Sequence, residues 1–172
     1  FYRTGDIPGG ANSSFISLIP KVTEAQHMTD YRPISLINCS IKLLLKVLAN
    51  RLKPRLSALI AEEQSAFIPG RNISDGILLA NEVIHSMRVK GGEGIVMKID
   101  FAKAYDSVNW NCLLHIMECM NFGPKWRMWI LAILKSTKMS VLVNGSPTAE
   151  FKPGKGIRQG DPLAPYLFIL IG

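Results

Sequence analysis

Val141-Leu142-Val143-Asn144-Gly145-Ser146 places a short β-branched run against an Asn-Gly pair. That dipeptide tolerates the positive φ angles of a tight type I′ turn, so an antiparallel hairpin is predicted here. Upstream, Trp126, Trp129, Ile130, Ile133 and Leu134 fall at helical spacing behind Gly123-Pro124. Before them, Trp110, Leu113, Leu114, Met117 and Met120 form a second helical stripe, with Asn109 as its cap. Downstream, Asp161 can cap a helix that begins at Pro162 and carries Leu163, Tyr166, Leu167, Leu170 and Ile171. Gly91, Gly92 and Gly94 mark a flexible break. The apolar run Gly94-Ile95-Val96-Met97-Lys98-Ile99 behind it is predicted as a buried strand ending at Asp100.

The N-terminal half alternates in the same way. Residues 1–14 read as a loop, while Phe15–Ile19 and Tyr31–Ile37 read as extended pieces, the latter because a residue before proline is pushed out of helical geometry. Ile41, Leu44, Leu45, Leu48 and Leu52 define an amphipathic helix, which Pro54 is expected to kink or restart. Gln64–Arg71 is a loop, and Ser74 or Asp75 should cap a further helix with Ile77, Ala80, Ile84 and Met87 on one side. Strands and helices mix without βαβ repetition, so an α+β fold is predicted over a doubly wound sheet.

With 48% hydrophobic and 19% charged residues, 172 positions are enough for one packed core, and disorder is excluded. Lys and Arg exceed Asp and Glu by 20 to 13, a net charge of +7 that favours a polyanionic partner. Cys39, Cys112 and Cys119 are odd in number and lack metal-site spacing, which fits a reducing, intracellular setting. No apolar stretch is long enough for a bilayer, so no membrane partner is expected.

Two segments carry chemistry. Asp100, at the end of its predicted strand, is placed to hold a cation, although an aspartate there could equally cap the next helix. Gly156-Ile157-Arg158-Gln159-Gly160-Asp161-Pro162-Leu163 combines a cation, an amide, a flexible backbone and a helix start. Together they suit nucleotidyl transfer on a nucleic acid.

Five blocks resemble the ordered motifs of reverse transcriptases from non-LTR retrotransposons, especially plant long interspersed elements. They are Leu18-Ile19-Pro20-Lys21, Tyr31-Arg32-Pro33-Ile34-Ser35-Leu36, Gln64-Ser65-Ala66-Phe67-Ile68-Pro69-Gly70-Arg71, Lys98 to Val108, and Arg158-Gln159-Gly160-Asp161-Pro162-Leu163. The resemblance implies a right-hand polymerase with fingers over 1–90 and a partial palm over 91–172. Its antiparallel palm sheet would pack on helices, with the thumb and the paired-aspartate hairpin lying beyond residue 172.

The resemblance also implies roles. Asp100 would be a catalytic carboxylate that binds Mg²⁺ in a two-ion site, with the backbone carbonyl of Phe101 as a further ligand, while Asp106 would be structural. Lys21 and Arg32 would contact the triphosphate of a deoxynucleotide, Tyr105 would exclude a ribose 2′-hydroxyl, and Gln159 and Gly160 would border the incoming nucleotide. Arg71, Lys42, Lys46 and Arg158 would contact nucleic acid. The implied partners are an RNA template, a DNA primer and deoxynucleoside triphosphates, with room for a linked endonuclease domain, in the nucleus or cytoplasm. The family's activity is RNA-directed DNA synthesis, and a piece without the second carboxylate motif should be inactive alone. The competing expectation is a catalytically dead relic or an RNA-binding module.

Overall fold

A computed structural model describes residues 1–91 and 93–172. The chain is α+β. Strands β1 (Ser13–Pro20) and β2 (Tyr31–Ile37) form an antiparallel hairpin, followed by helices α1 (Cys39–Leu59) and α2 (Ile73–Val89). A single helical turn, α3 (Ala104–Ser107), leads into α4 (Trp110–Cys119) and α5 (Pro124–Ser136). Strands β3 (Lys138–Val143) and β4 (Ser146–Pro147) and helix α6 (Ala164–Ile169) follow.

The sheet order is β2-β1-β3-β4. β3 and β4 pair antiparallel across Asn144 (φ 49°) and Gly145 (φ 81°), the two left-handed positions of the predicted turn. β1 and β3, however, run parallel, with Ser13 opposite Lys138 and Ile16 opposite Val141. The sheet is therefore mixed, not purely antiparallel as expected, and it joins strands from both sides of position 90.

The core lies among the helices. Leu45, Leu52 and Leu56 of α1 meet Leu113 and Met117 of α4, Ile130 of α5, and Leu163 beside α6, each at most 1% exposed. The α1 stripe follows the predicted spacing and runs unbroken through Pro54. The backbone donor lost at Pro54 would have reached the carbonyl of Asn50, an exposed residue, while the flanking Leu52 and Leu56 are locked in the core. Asn109 caps α4 as expected, its Oδ1 accepting from the amides of Asn111 (2.9 Å) and Cys112 (3.1 Å).

Three further expectations fail. The cap of α2 is Asn72, which accepts from the Ser74 amide at 3.2 Å, in place of Ser74 or Asp75. The predicted stripe of α2 is not a core face, since Ile77 is 60% exposed and only Ile84 and Met87 are partly covered. The run Gly94–Ile99 is irregular, and Ile95 is 94% exposed. A strand needs a neighbour to take its backbone hydrogen bonds, and among the described residues no strand lies beside this segment.

Candidate active-site cleft

The segment 156–161 is stitched to two other motifs by its backbone. The Gly156 amide donates to the Val108 carbonyl (2.7 Å), the Ile157 amide donates to Tyr105 (2.9 Å), and Trp110 Nε1 donates back to the Gly156 carbonyl (2.8 Å). Gly156 has φ +85°, and a Cβ there would stand 2.9 Å from the Asp106 carbonyl oxygen. Only glycine meets both demands. On the other side, the Ser35 amide of β2 donates to the Gln159 carbonyl at 2.9 Å, and Gly160 (φ +94°) lies so close that a Cβ would be 3.1 Å from the Ser35 oxygen.

These ties enclose a cleft of about 260 Å³, lined by Pro33, Ser35, Asp106, Lys155 and Gln159 above an apolar floor that includes Met139 and Ile157. The Gln159 carboxamide has no hydrogen-bond partner among the described residues and is half-buried at the cleft wall. Lys155 and Ser35 were not singled out from sequence. Lys155 could have been, since it is a cation immediately before the glycine-rich bend. Ser35 acts through its backbone, which leaves no residue-type signal.

Gly156→Ala should lower stability by about 1–3 kcal/mol, because the residue would carry a strained left-handed φ as well as a clash. Chemical denaturation read by tryptophan fluorescence checks this, and an unchanged midpoint would show that the contact with Asp106 relaxes freely.

The other candidate residues divide by location. Lys21 follows the Pro20–Tyr31 pair and Arg32 faces Ile19, so both cations sit at one end of the β1–β2 hairpin. Arg32 adjoins the cleft residue Pro33, whereas Lys21 Nζ donates to the Thr29 carbonyl at 2.9 Å. Lys42 and Lys46 are exposed on α1. The Tyr105 ring stacks on Phe168 with centroids 5.0 Å apart and planes at 13°, and burial raises its phenol above the ordinary range. Asp100 and Phe101 are exposed on the irregular segment, and neither lines the cleft.

Two expected nucleic-acid contacts are used internally. Arg158 is 6% exposed: its Nη1 donates to Asn12 Oδ1 (2.8 Å) and its Nη2 to Asp161 Oδ2 (3.2 Å). Asn12 is anchored in turn by donating to the Ile133 carbonyl and to Ser136 Oγ, both at 2.8 Å. Burial lowers the Arg158 guanidinium and raises the Asp161 carboxyl, and their mutual attraction offsets only part of each shift. Asp161 also fastens the start of α6, its Oδ1 accepting from the Leu163 amide at 2.8 Å, so that the helix begins at Ala164, later than the predicted Pro162.

Arg71 donates to the carbonyls of Ala61, Gln64 (2.7 Å), Ser57 (3.4 Å) and Ile60 (3.1 Å). Its fork caps the C-terminal end of α1 and shapes the loop around Phe67. A planar donor set suits several converging carbonyls as well as it suits a phosphate.

Among the described residues, no group of three His, Cys, Asp or Glu side chains could hold a metal ion. Asp100 offers one open carboxylate, enough for a hard cation that also takes water and substrate oxygens but not for a complete protein cage. Among the described residues, no helix is long and apolar enough to cross a membrane.

Residues 19–171 match the family described as reverse transcriptase (RNA-dependent DNA polymerase). The chain belongs to the reverse transcriptase family. It is 31% identical over 169 residues to the transposon TX1 uncharacterized 149 kDa protein of Xenopus laevis, a match covering 98% of this chain and 13% of that protein. It is 27% identical to a Pol polyprotein of a type-1 retrotransposable element R2 from Nasonia vitripennis, over 95% of this chain and 16% of the relative. The R2DM Pol polyprotein of Drosophila melanogaster is 25% identical, over 97% and 16% respectively. The chain thus spans about a sixth or less of these retroelement relatives. The cleft unites the second, fourth and fifth of the reverse-transcriptase blocks found in the sequence.

Proposed function

We propose that this chain is the fingers and partial palm of an RNA-directed DNA polymerase of a non-LTR retroelement, of the plant long interspersed type, with fingers over 1–90 and palm over 91–172. In the larger protein it would extend a DNA 3′-hydroxyl with deoxynucleoside triphosphates on an RNA template. The observation that carries this is the backbone stitching of three family motifs, in β2, at Tyr105–Val108 and at Gly156–Gly160, around one cleft. Gln159 has a free amide at the cleft wall, suited to a nucleotide edge. Arg32 supplies a planar cation at the adjoining end of β2, and Lys21 a second positive charge one residue past β1. Lys42 and Lys46 offer sequence-independent contacts to a template backbone.

Asp100, with the Phe101 carbonyl, would give oxygen ligands to Mg²⁺, the remaining ligands coming from substrate, water and residues outside this chain. Bound there, the ion would stabilise charge on the reacting phosphate. The Tyr105 ring stacks on Phe168, and its backbone carbonyl accepts from the Ile157 amide, which ties this residue's backbone to the bend.

The test is primer extension on an RNA template by a polypeptide that carries this chain with its natural flanking sequence. Deoxynucleotide incorporation is expected. Tyr105→Val should relax discrimination against ribonucleotides by about ten- to a hundredfold, the range for removing a shape contact, while Tyr105→Phe should keep it. Incorporation that is absent, or equal for both sugars in the parent protein, would reject this assignment.

A further inference from the structure

A second hollow lies where the C-terminal half of α1 meets the turn between α4 and α5, lined by residues that the cleft above does not use. Its volume is about 480 Å³. Leu52, Leu59, Phe122 and Trp126 give it an apolar lining, and Arg51 and Arg55 stand over it one helical turn apart. Residues spaced by four share a helix face, so the two guanidinium groups point to the same side. Both arginines are exposed, and neither forms a hydrogen bond or ion pair among the described residues. No carboxylate lines the hollow. By contrast, Arg127 nearby is already paired with Glu118 at 2.7 Å.

Unpaired arginines flanking an apolar depression suit a bulky apolar side chain between carboxylates. A nucleic-acid strand fits less well. Phosphate tracking needs a succession of cations along a path, and base stacking needs an open aromatic face. Here Trp126 is half-buried and already packed 6.4 Å from Phe122 and 6.0 Å from Trp129. The wall is a tight turn: Asn121 holds a left-handed φ of 60° and Gly123 precedes the proline that starts α5.

We infer that this groove docks an acidic segment of another polypeptide, with one large apolar side chain seated on Leu59, Phe122 and Trp126 and two carboxylates paired to Arg51 and Arg55. The surface is independent of the nucleotide cleft and does not depend on polymerase activity.

The experiment is fluorescence anisotropy of a polypeptide that carries this chain with its natural flanking sequence, titrated against a fluorescein-labelled peptide, Glu-Asp-Leu-Phe-Asp-Glu, amidated at its C-terminus. Saturable binding that weakens as salt rises is expected. The double substitution Arg51→Glu with Arg55→Glu should weaken it by about a hundredfold, since two charge-assisted pairs turn repulsive. Arg51→Lys with Arg55→Lys should retain most of it, and a peptide with Ser in place of Leu and Phe should lose it. Both variants alter exposed side chains, and matching circular dichroism spectra confirm their fold. Absence of saturable binding, binding insensitive to the charge reversal, or loss of a single-stranded RNA oligonucleotide in place of the peptide on charge reversal would each overturn the assignment.

Discussion

Asp100→Asn is expected to lower RNA-templated primer extension by on the order of a thousandfold in a polypeptide that carries this chain with its natural flanks. The figure follows from removing roughly 4 kcal/mol of transition-state charge stabilisation, at about 1.4 kcal/mol per factor of ten. Asp100 is exposed and supports no hydrogen bond among the described residues, so the substitution should leave the fold and its stability unchanged. That separation makes the test sharp. Thermal unfolding and salt-dependent RNA retention should superpose on the parent while nucleotide incorporation collapses. Retained incorporation would remove Asp100 from the chemistry, whereas loss of RNA retention would point to a binding role.

Arg158→Met should cost about 3–5 kcal/mol of folding stability, because it leaves the Asp161 carboxylate buried with its cation gone. In a chain of this length that is a fall of roughly 6–20 °C in Tm. The comparison that matters is Arg158→Met with Asp161→Asn, which removes both charges yet keeps an oxygen for the Leu163 amide. It should recover most of the loss. The pH dependence has a definite sign. Burial holds the Asp161 carboxyl above its unfolded value, so the stability linked to its proton is full below the unfolded pKa and fades as pH rises through the folded one. Without Arg158 the carboxyl moves higher still, so the deficit of the single variant should be larger at about pH 7 than at about pH 5. Denaturation midpoints at the two pH values decide it. A deficit that grows on acidification would mean that the pair is not what holds this bend.

What could be read from the chain was mostly local. Asn144-Gly145, the Asn109 cap and the proline that opens α5 act through their own dihedral angles or through amides two and three residues away, so nothing distant alters them. The α1 stripe was legible for a related reason: its apolar positions are close enough together to define a face. The largest failures are questions of partnership. Ile95, Val96 and Ile99 have the composition of a strand, but composition does not say whether another strand lies alongside. Arg158 looks like any basic residue until Asn12 is brought to it across 146 positions. The carbonyls that receive Arg71 belong to the end of α1, and their convergence is a property of the folded loop. Of the site, the motif residues of the cleft were identifiable by resemblance, while Ser35 and Lys155 became visible only when β2 and the bend met.

The side-by-side run of Ser13–Ile16 with Lys138–Val141 has a consequence for biosynthesis. The first hairpin emerges from a ribosome long before its second neighbour exists, and it must wait with one edge open while more than a hundred further residues are made. Closing so distant a pairing is slow. A nascent polypeptide of this kind spends that interval exposed to edge-to-edge self-association, and holdase chaperones that recognise bare strand margins should bind it then and release it once the downstream partner arrives.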